Sequence, residues 1–198
     1  TKLPILTIGS SSSALKAGET AIITFNFSEA PIGFAANDVA VAGGILNNFS
    51  GSGSSYSATF TPTAGTNQGS ANFSVVSGSY TDAVGNSSAA GSSFALAFDT
   101  STPAVSSVST PANTTYAIGQ HLDFTVNFNE TVVVTGLPSI PVTLDTGGTV
   151  NATYFSGSNS SDLVFRYTIA NGNTDTNGIT LGTSIAANGG NITDAAGN

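Results

Sequence analysis

Apolar and polar residues alternate one for one along much of the chain. Ile23, Phe25 and Phe27 are interleaved with Thr24 and Asn26, and Leu122, Phe124, Val126 and Phe128 with Asp123, Thr125 and Asn127. A period of two sends successive side chains to opposite faces of a pleated strand, so both runs are predicted as half-buried antiparallel strands. Further short strands are expected at residues 3–8, 38–42, 45–49, 56–61, 71–76 and 94–98. A second set follows at 104–108, 140–144, 150–155, 163–169 and 179–185, with Gly, Asn, Pro and Ser clusters between the strands.

The two alternating runs belong to a duplication. Gly18, Phe27 and Glu29 recur as Gly119, Phe128 and Glu130, each at an offset of 101, and Asp82-Ala-Val-Gly-Asn86 recurs as Asp194-Ala-Ala-Gly-Asn198 at an offset of 112. The second copy therefore carries about eleven extra residues between its landmarks. Two homologous domains follow, residues 1–99 and 100–198, with a linker at about 99–103. Roughly seven short strands per hundred residues predicts an all-β chain of two tandem immunoglobulin-like β-sandwich domains, although no Cys-Trp-Cys signature is present. The first copy has a closing strand, Phe94-Ala-Leu-Ala-Phe98, after its Asp-x-x-Gly-Asn segment, whereas the second is expected to lack its final strand in this chain. Two readings stand: a cut inside a longer array, or a strand donated by an identical subunit, for which residues 3–8 are the natural donor.

Composition narrows function further. Ser, Thr, Gly and Asn supply 96 of 198 residues, a mix poor in helix formers, while 39% hydrophobic residues suffice for a core. A net charge of −8 with three basic residues, Lys2, Lys16 and Arg166, argues against nucleic acid as a partner and against an anionic membrane surface. The longest nearly apolar run, residues 39–46, is far short of the ~20 residues of a spanning helix, so no membrane insertion is expected. Without cysteine there are no disulfides, thiolate sites or Cys nucleophiles, and a single imidazole, His121, leaves little for hydrolytic catalysis. A non-enzymatic role is expected.

With Phe-Ser-Glu at 27–29, Phe-Asn-Glu at 128–130, the two Asp-x-x-Gly-Asn segments and the joining Phe98-Asp-Thr-Ser-Thr-Pro103, the chain resembles the bacterial Ig-like repeats of large cell-surface adhesins. The resemblance implies an extracellular, surface-exposed stalk or fibre of tandem modules, joints stiffened by Ca²⁺, and neighbouring repeats or identical subunits as partners. It also implies that any glycan or host-surface ligand is bound elsewhere in the full protein. A glycan- or host-protein-binding module and an accessory domain of a secreted hydrolase are the alternatives.

Candidate metal ligands are all oxygen donors, the set that Ca²⁺ favours. Strand B and the F-to-G connection of such a sandwich meet at one pole. Asp99, Glu130, Asp194 and Asn198 are therefore expected at a joint, with Glu29, Asp82 and Asn86 as the counterpart half-site of the first domain. The competing reading makes each Asp-x-x-Gly-Asn a turn, its Asp accepting local backbone N–H groups. Asn173, Asp175 and Asn177, ahead of Gly178, have the spacing of a calcium loop but no acid at position 12, where Ser184 stands, so a plain turn competes there too. His121 is expected to be a solvated strand residue, and Asp123 and Arg166 a surface ion pair.

Overall fold

The structure, a computed structural model, describes residues 4–88 and 93–198. The chain divides into two compact units, Thr1–Ser101 together with Asn198, and Thr102–Gly197. Leu3, with which the first expected strand begins, lies outside the described residues.

The first unit contains β1 (Leu6–Ser10), β2 (Ala14–Lys16), β3 (Ala21–Phe27), β4 (Val39–Ala42), β5 (Gly44–Ser52), β6 (Ser55–Pro62), β7 (Gly69–Val75) and β8 (Ser93–Asp99). One sheet has the order β1-β3-β6-β5 and the other β2-β8-β7-β4, the strand neighbourhoods of an Ig-like sandwich with a divided first strand. All pairs are antiparallel except β2 with β8, which run parallel. The alternation of β3 works as the sequence requires: Ala21, Ile23, Phe25 and Phe27 are buried, and Ile22 and Asn26 are exposed. From the two sheets, Phe60 of β6 and Phe73 of β7 meet edge to face with ring centroids 4.9 Å apart. Toward one end the core is aromatic, with Phe34 lying 4.9 Å from Phe27 and 5.1 Å from Tyr56, and Tyr80 5.0 Å from Phe27. β2 was not expected from the sequence; its three residues are a strand because β8 pairs with them.

The second unit contains β9 (Val105–Ser109), β10 (His121–Thr135), β11 (Ser139–Thr143), β12 (Thr149–Ser156), β13 (Ser160–Thr168), β14 (Thr180–Leu181) and β15 (Asn191–Thr193). Its strands form one hydrogen-bonded path, β14-β11-β12-β13-β10-β15, with β9 also paired to β10. The two units differ in the connection from β4 to β5 in the first and from β11 to β12 in the second. In the first, Gly43, with φ +82°, turns the chain sharply from β4 into β5 of the other sheet. In the second, residues 144–148 form a longer turn, closed by the Leu144 amide donating to the Gly148 carbonyl, and β12 folds back onto β11.

β10 is also far longer than the expected 122–128. Its even-numbered row, Leu122 to Val132, stays buried past a register break between Asn127 and Val132, because Thr131-Val-Val-Val-Thr135 continues the β-branched run. In the first unit Pro31 follows the corresponding position, and β3 stops at Phe27. Of the expected strand at 179–185 only β14 forms, and Ala186 pairs separately with Ser139. β15 was not expected; it pairs with β10 through Val133↔Thr193. That pair is the counterpart of Ile32↔Thr81 in the first unit, displaced by the same 101 and 112 positions as the sequence repeat.

Phe25 and Phe124 are each fully enclosed in the core of their unit. Phe25→Ala and Phe124→Ala are each expected to cost ~3–5 kcal/mol, through lost burial and the cavity left behind. Urea denaturation checks this, and a loss under about 1 kcal/mol at either site would show that its ring is not enclosed.

Candidate functional site

In the second unit the inward alternation of β10 carries an acid into the strand interior. Glu130 follows Phe128 in the buried row and precedes Val132, and it is only 9% exposed. Three residues further on, β10 pairs with β15, and Asp194 follows β15 directly, 4% exposed. The pairing Val133↔Thr193 thus places two acids, each just beyond the same ladder, with carboxylate oxygens within 4.8 Å. Two hard oxygen donors this close are a set that suits a divalent cation. The unit has one Arg, Arg166, and no Lys. Arg166 is committed elsewhere: its Nε and Nη2 each donate to Asp123 at 2.7 Å, and its guanidinium lies 3.7 Å above the Phe155 ring. That pair is the expected surface ion pair, and it holds the Asp123 carboxyl below the usual carboxylate range. His121 is exposed on β10, with Nδ1 3.0 Å from the Thr168 hydroxyl.

Both copies of the motif close a turn, Gly197 donating to the Asp194 carbonyl as Gly85 does to that of Asp82. Asp82 is 4% exposed and forms the hub of a turn. Its Oδ1 accepts the backbone N–H of Val84 at 2.9 Å and of Asn86 at 2.8 Å, and its Oδ2 accepts the Asn86 side-chain amide at 2.6 Å. Gly85, at φ +87°, completes the turn by donating to the Asp82 carbonyl. The Asn86 hydrogen bonds, side chain first, hold the Asp82 carboxyl below its ordinary value. Glu29 lies beyond the end of β3 and is exposed, unlike its counterpart Glu130. Asp99 ends β8, where its carboxylate accepts from the amides of Gln68 at 3.3 Å and Ser101 at 3.1 Å. Asn198 is grouped with the first unit.

The loop with calcium-like spacing disperses its oxygens. Asn173 Oδ1 accepts from the Tyr167 hydroxyl at 2.6 Å and the Ala170 amide at 2.8 Å. Asp175 Oδ1 accepts from the Asn177 and Gly178 amides, and the Asn177 side chain donates to Asp145 at 2.8 Å. Asp145 was not singled out in the sequence. It anchors the loop by accepting the Thr176 hydroxyl at 2.7 Å and the Thr176 amide at 2.8 Å as well, and those bonds lower its carboxyl's pKa. In the sequence it carried only a turn signal, the Asp-Thr-Gly-Gly run at 145–148.

Residues 1–98 match the family of the bacterial Ig-like domain. The first unit therefore belongs to that family of bacterial Ig-like domains. Among solved structures, that of the adhesin InvE of Yersinia pseudotuberculosis is similar over 98% of this chain at 18% identity with a TM-score of 0.31, and the chain spans 52% of that structure's length. No curated protein matches the chain.

The lowered carboxyls of Asp82, Asp123 and Asp145 link stability to acid. A carboxylate whose folded pKa lies below its unfolded value stabilises the fold fully above the unfolded value, about 3.9, and loses that contribution as pH falls through the folded one. Urea midpoints are therefore expected to be flat near neutrality and to fall below about pH 4. Asp82→Asn should flatten that decline for the first unit, and an unchanged decline would show that the turn carboxylate is not its source.

Proposed function

We propose that the chain is a non-enzymatic spacer from a bacterial cell-surface adhesin or extracellular fibre, a module that sets distance rather than one that turns over a substrate. The observation that carries this reading is the duplication: two β units share one strand-pairing landmark at the sequence-repeat offsets, and the first is a bacterial Ig-like domain. Repetition of a unit with its own core is what an extended array requires. An extracellular location agrees with the cysteine-free, weakly charged, hydroxyl-rich composition. Among the described residues no helix is long and apolar enough to cross a membrane. A glycan array probed with the two-unit protein should stay at background. Dose-dependent binding to one glycan class would overturn the spacer reading in favour of a binding module.

Calcium belongs to the same proposal. Glu130 and Asp194 offer hard oxygen donors within 4.8 Å, in a unit whose one Arg is paired with Asp123, and this donor chemistry fits Ca²⁺. When bound, the ion would offset the mutual repulsion of the two carboxylates and link the end of the inward row of β10 to the segment after β15. The first-unit set is poorer, because Glu29 is exposed where Glu130 is buried. A ligand bound only by the folded state raises the unfolding midpoint by mass action. Differential scanning calorimetry in millimolar calcium and in chelator is expected to show an upward shift, and Glu130→Gln to remove most of it. Superimposable traces for the unsubstituted protein would defeat the site.

A further inference from the structure

Asparagine is one of the chemically labile side chains, and most so ahead of glycine. Having no Cβ, glycine lets its own backbone nitrogen reach the preceding carboxamide unhindered. The chain has three such pairs, Asn171-Gly172, Asn177-Gly178 and Asn188-Gly189, all in the second unit. Each pair is exposed, yet the fold treats the three differently.

At Asn177 both reacting groups are tied. Its Nδ2 donates to Asp145 at 2.8 Å, and the Gly178 amide, the nucleophile, donates to Asp175 at 2.8 Å. At Asn188 the carboxamide is tied twice, with Nδ2 donating to the Ser139 hydroxyl oxygen at 2.8 Å and to the Leu137 carbonyl at 3.2 Å. The Asn171 side chain and the Gly172 amide make no hydrogen bond to the described residues. Their turn is held by groups on either side of the reacting atoms. The Asn173 amide donates to the Ala170 carbonyl at 3.3 Å, and the Thr146 hydroxyl donates to the Gly172 carbonyl at 3.0 Å.

The turn after β6 is the counterpart in the first unit, with Ala64-Gly65 at its tip. Thr100, just past β8, packs against that turn, accepting from the Thr66 amide at 3.0 Å and donating to the Thr63 carbonyl at 2.6 Å. Ala64 and Gly65 are exposed all the same, so a closing strand beside such a turn leaves its tip open to water.

We propose that Asn171-Gly172 is a site of spontaneous deamidation, at which the second unit turns an amide into an acid without an enzyme. The Gly172 nitrogen attacks Asn171 Cγ and closes a succinimide ring. The Cγ–Nδ2 bond breaks, and the proton given up by the Gly172 nitrogen leaves with the amide as ammonia. Water then opens the ring at one carbonyl or the other, leaving aspartate or isoaspartate at position 171. Either product adds a negative charge. The isoaspartate also lengthens the main chain by one methylene inside the turn, which loosens the closure of Asn173 on Ala170. The reaction consumes only water, and it rests on neither the calcium site nor the spacer reading.

Folded and urea-unfolded samples of the two-unit protein, kept in warm, mildly alkaline buffer, are mapped by peptide mass spectrometry, with isoaspartate methyltransferase labelling to mark the isomer. Dividing each site's folded rate by its unfolded rate removes the effect of local sequence. That ratio is expected to be about tenfold higher at Asn171 than at Asn177 or Asn188, the difference made by two hydrogen bonds that need not break first. Asp145→Ala, at an exposed position, should raise the ratio at Asn177 and leave that at Asn171 unchanged. Equal ratios at the three pairs, a higher ratio at Asn177 or Asn188, or no response of Asn177 to Asp145→Ala would each overturn the proposal.

Discussion

Burial of alternate side chains along β3 and β10 is the interaction on which both units depend, because a chain without cysteine has no disulfide to fall back on. Each of these strands pairs on both edges, so its inward row sets the position of the neighbours as well as its own. A one-residue slip would turn Phe25 or Phe124 to solvent and bring Asn26 or Thr125 inward, so the hydrophobic row also acts as the register lock. The aromatic cluster of Phe27, Phe34, Tyr56 and Tyr80 extends the lock beyond the end of β3, and burial raises the pKa of the Tyr80 phenol.

The inward row also explains why the two repeated glutamates differ in burial. In the second unit, strand geometry continues through Glu130, and the acid is held where a hydrophobic residue would ordinarily stand. In the first, β3 stops at Phe27 and Glu29 is left at the surface. The difference traces to the few residues after each Phe-x-Glu and not to the acids themselves.

The same physical distinction marks what was legible in the sequence. Period-two runs such as 23–27 and 122–128 were readable because both faces are written in the side chains, and the duplication was readable because its landmarks are large or acidic residues. β2 and β15 were not, since three-residue strands owe their state to a partner distant in sequence. The continuation of β10 to Thr135 was masked by the Asn and Glu at 129 and 130, which read as the end of a strand, although Glu130 falls on the inward parity. In the Asn-rich loop, spacing suggested shared coordination. The deciding partners, Tyr167 and Asp145, lie on other segments, and no local pattern announces them.

The parallel pairing of β2 with β8, through Ala14↔Ala97, Leu15↔Phe98 and Lys16↔Asp99, has a consequence for a molecule under tension. β2 lies close to the beginning of the first unit's chain and β8 at its end. A pull on the two ends therefore draws these parallel neighbours past each other along their length. The bonds of the ladder are loaded together in shear, not broken one after another as in a hairpin that unzips. The seating of Phe98 against Leu15 adds a steric catch to that sliding motion. The first unit thus meets stretching force at its margin, before the aromatic core is disturbed.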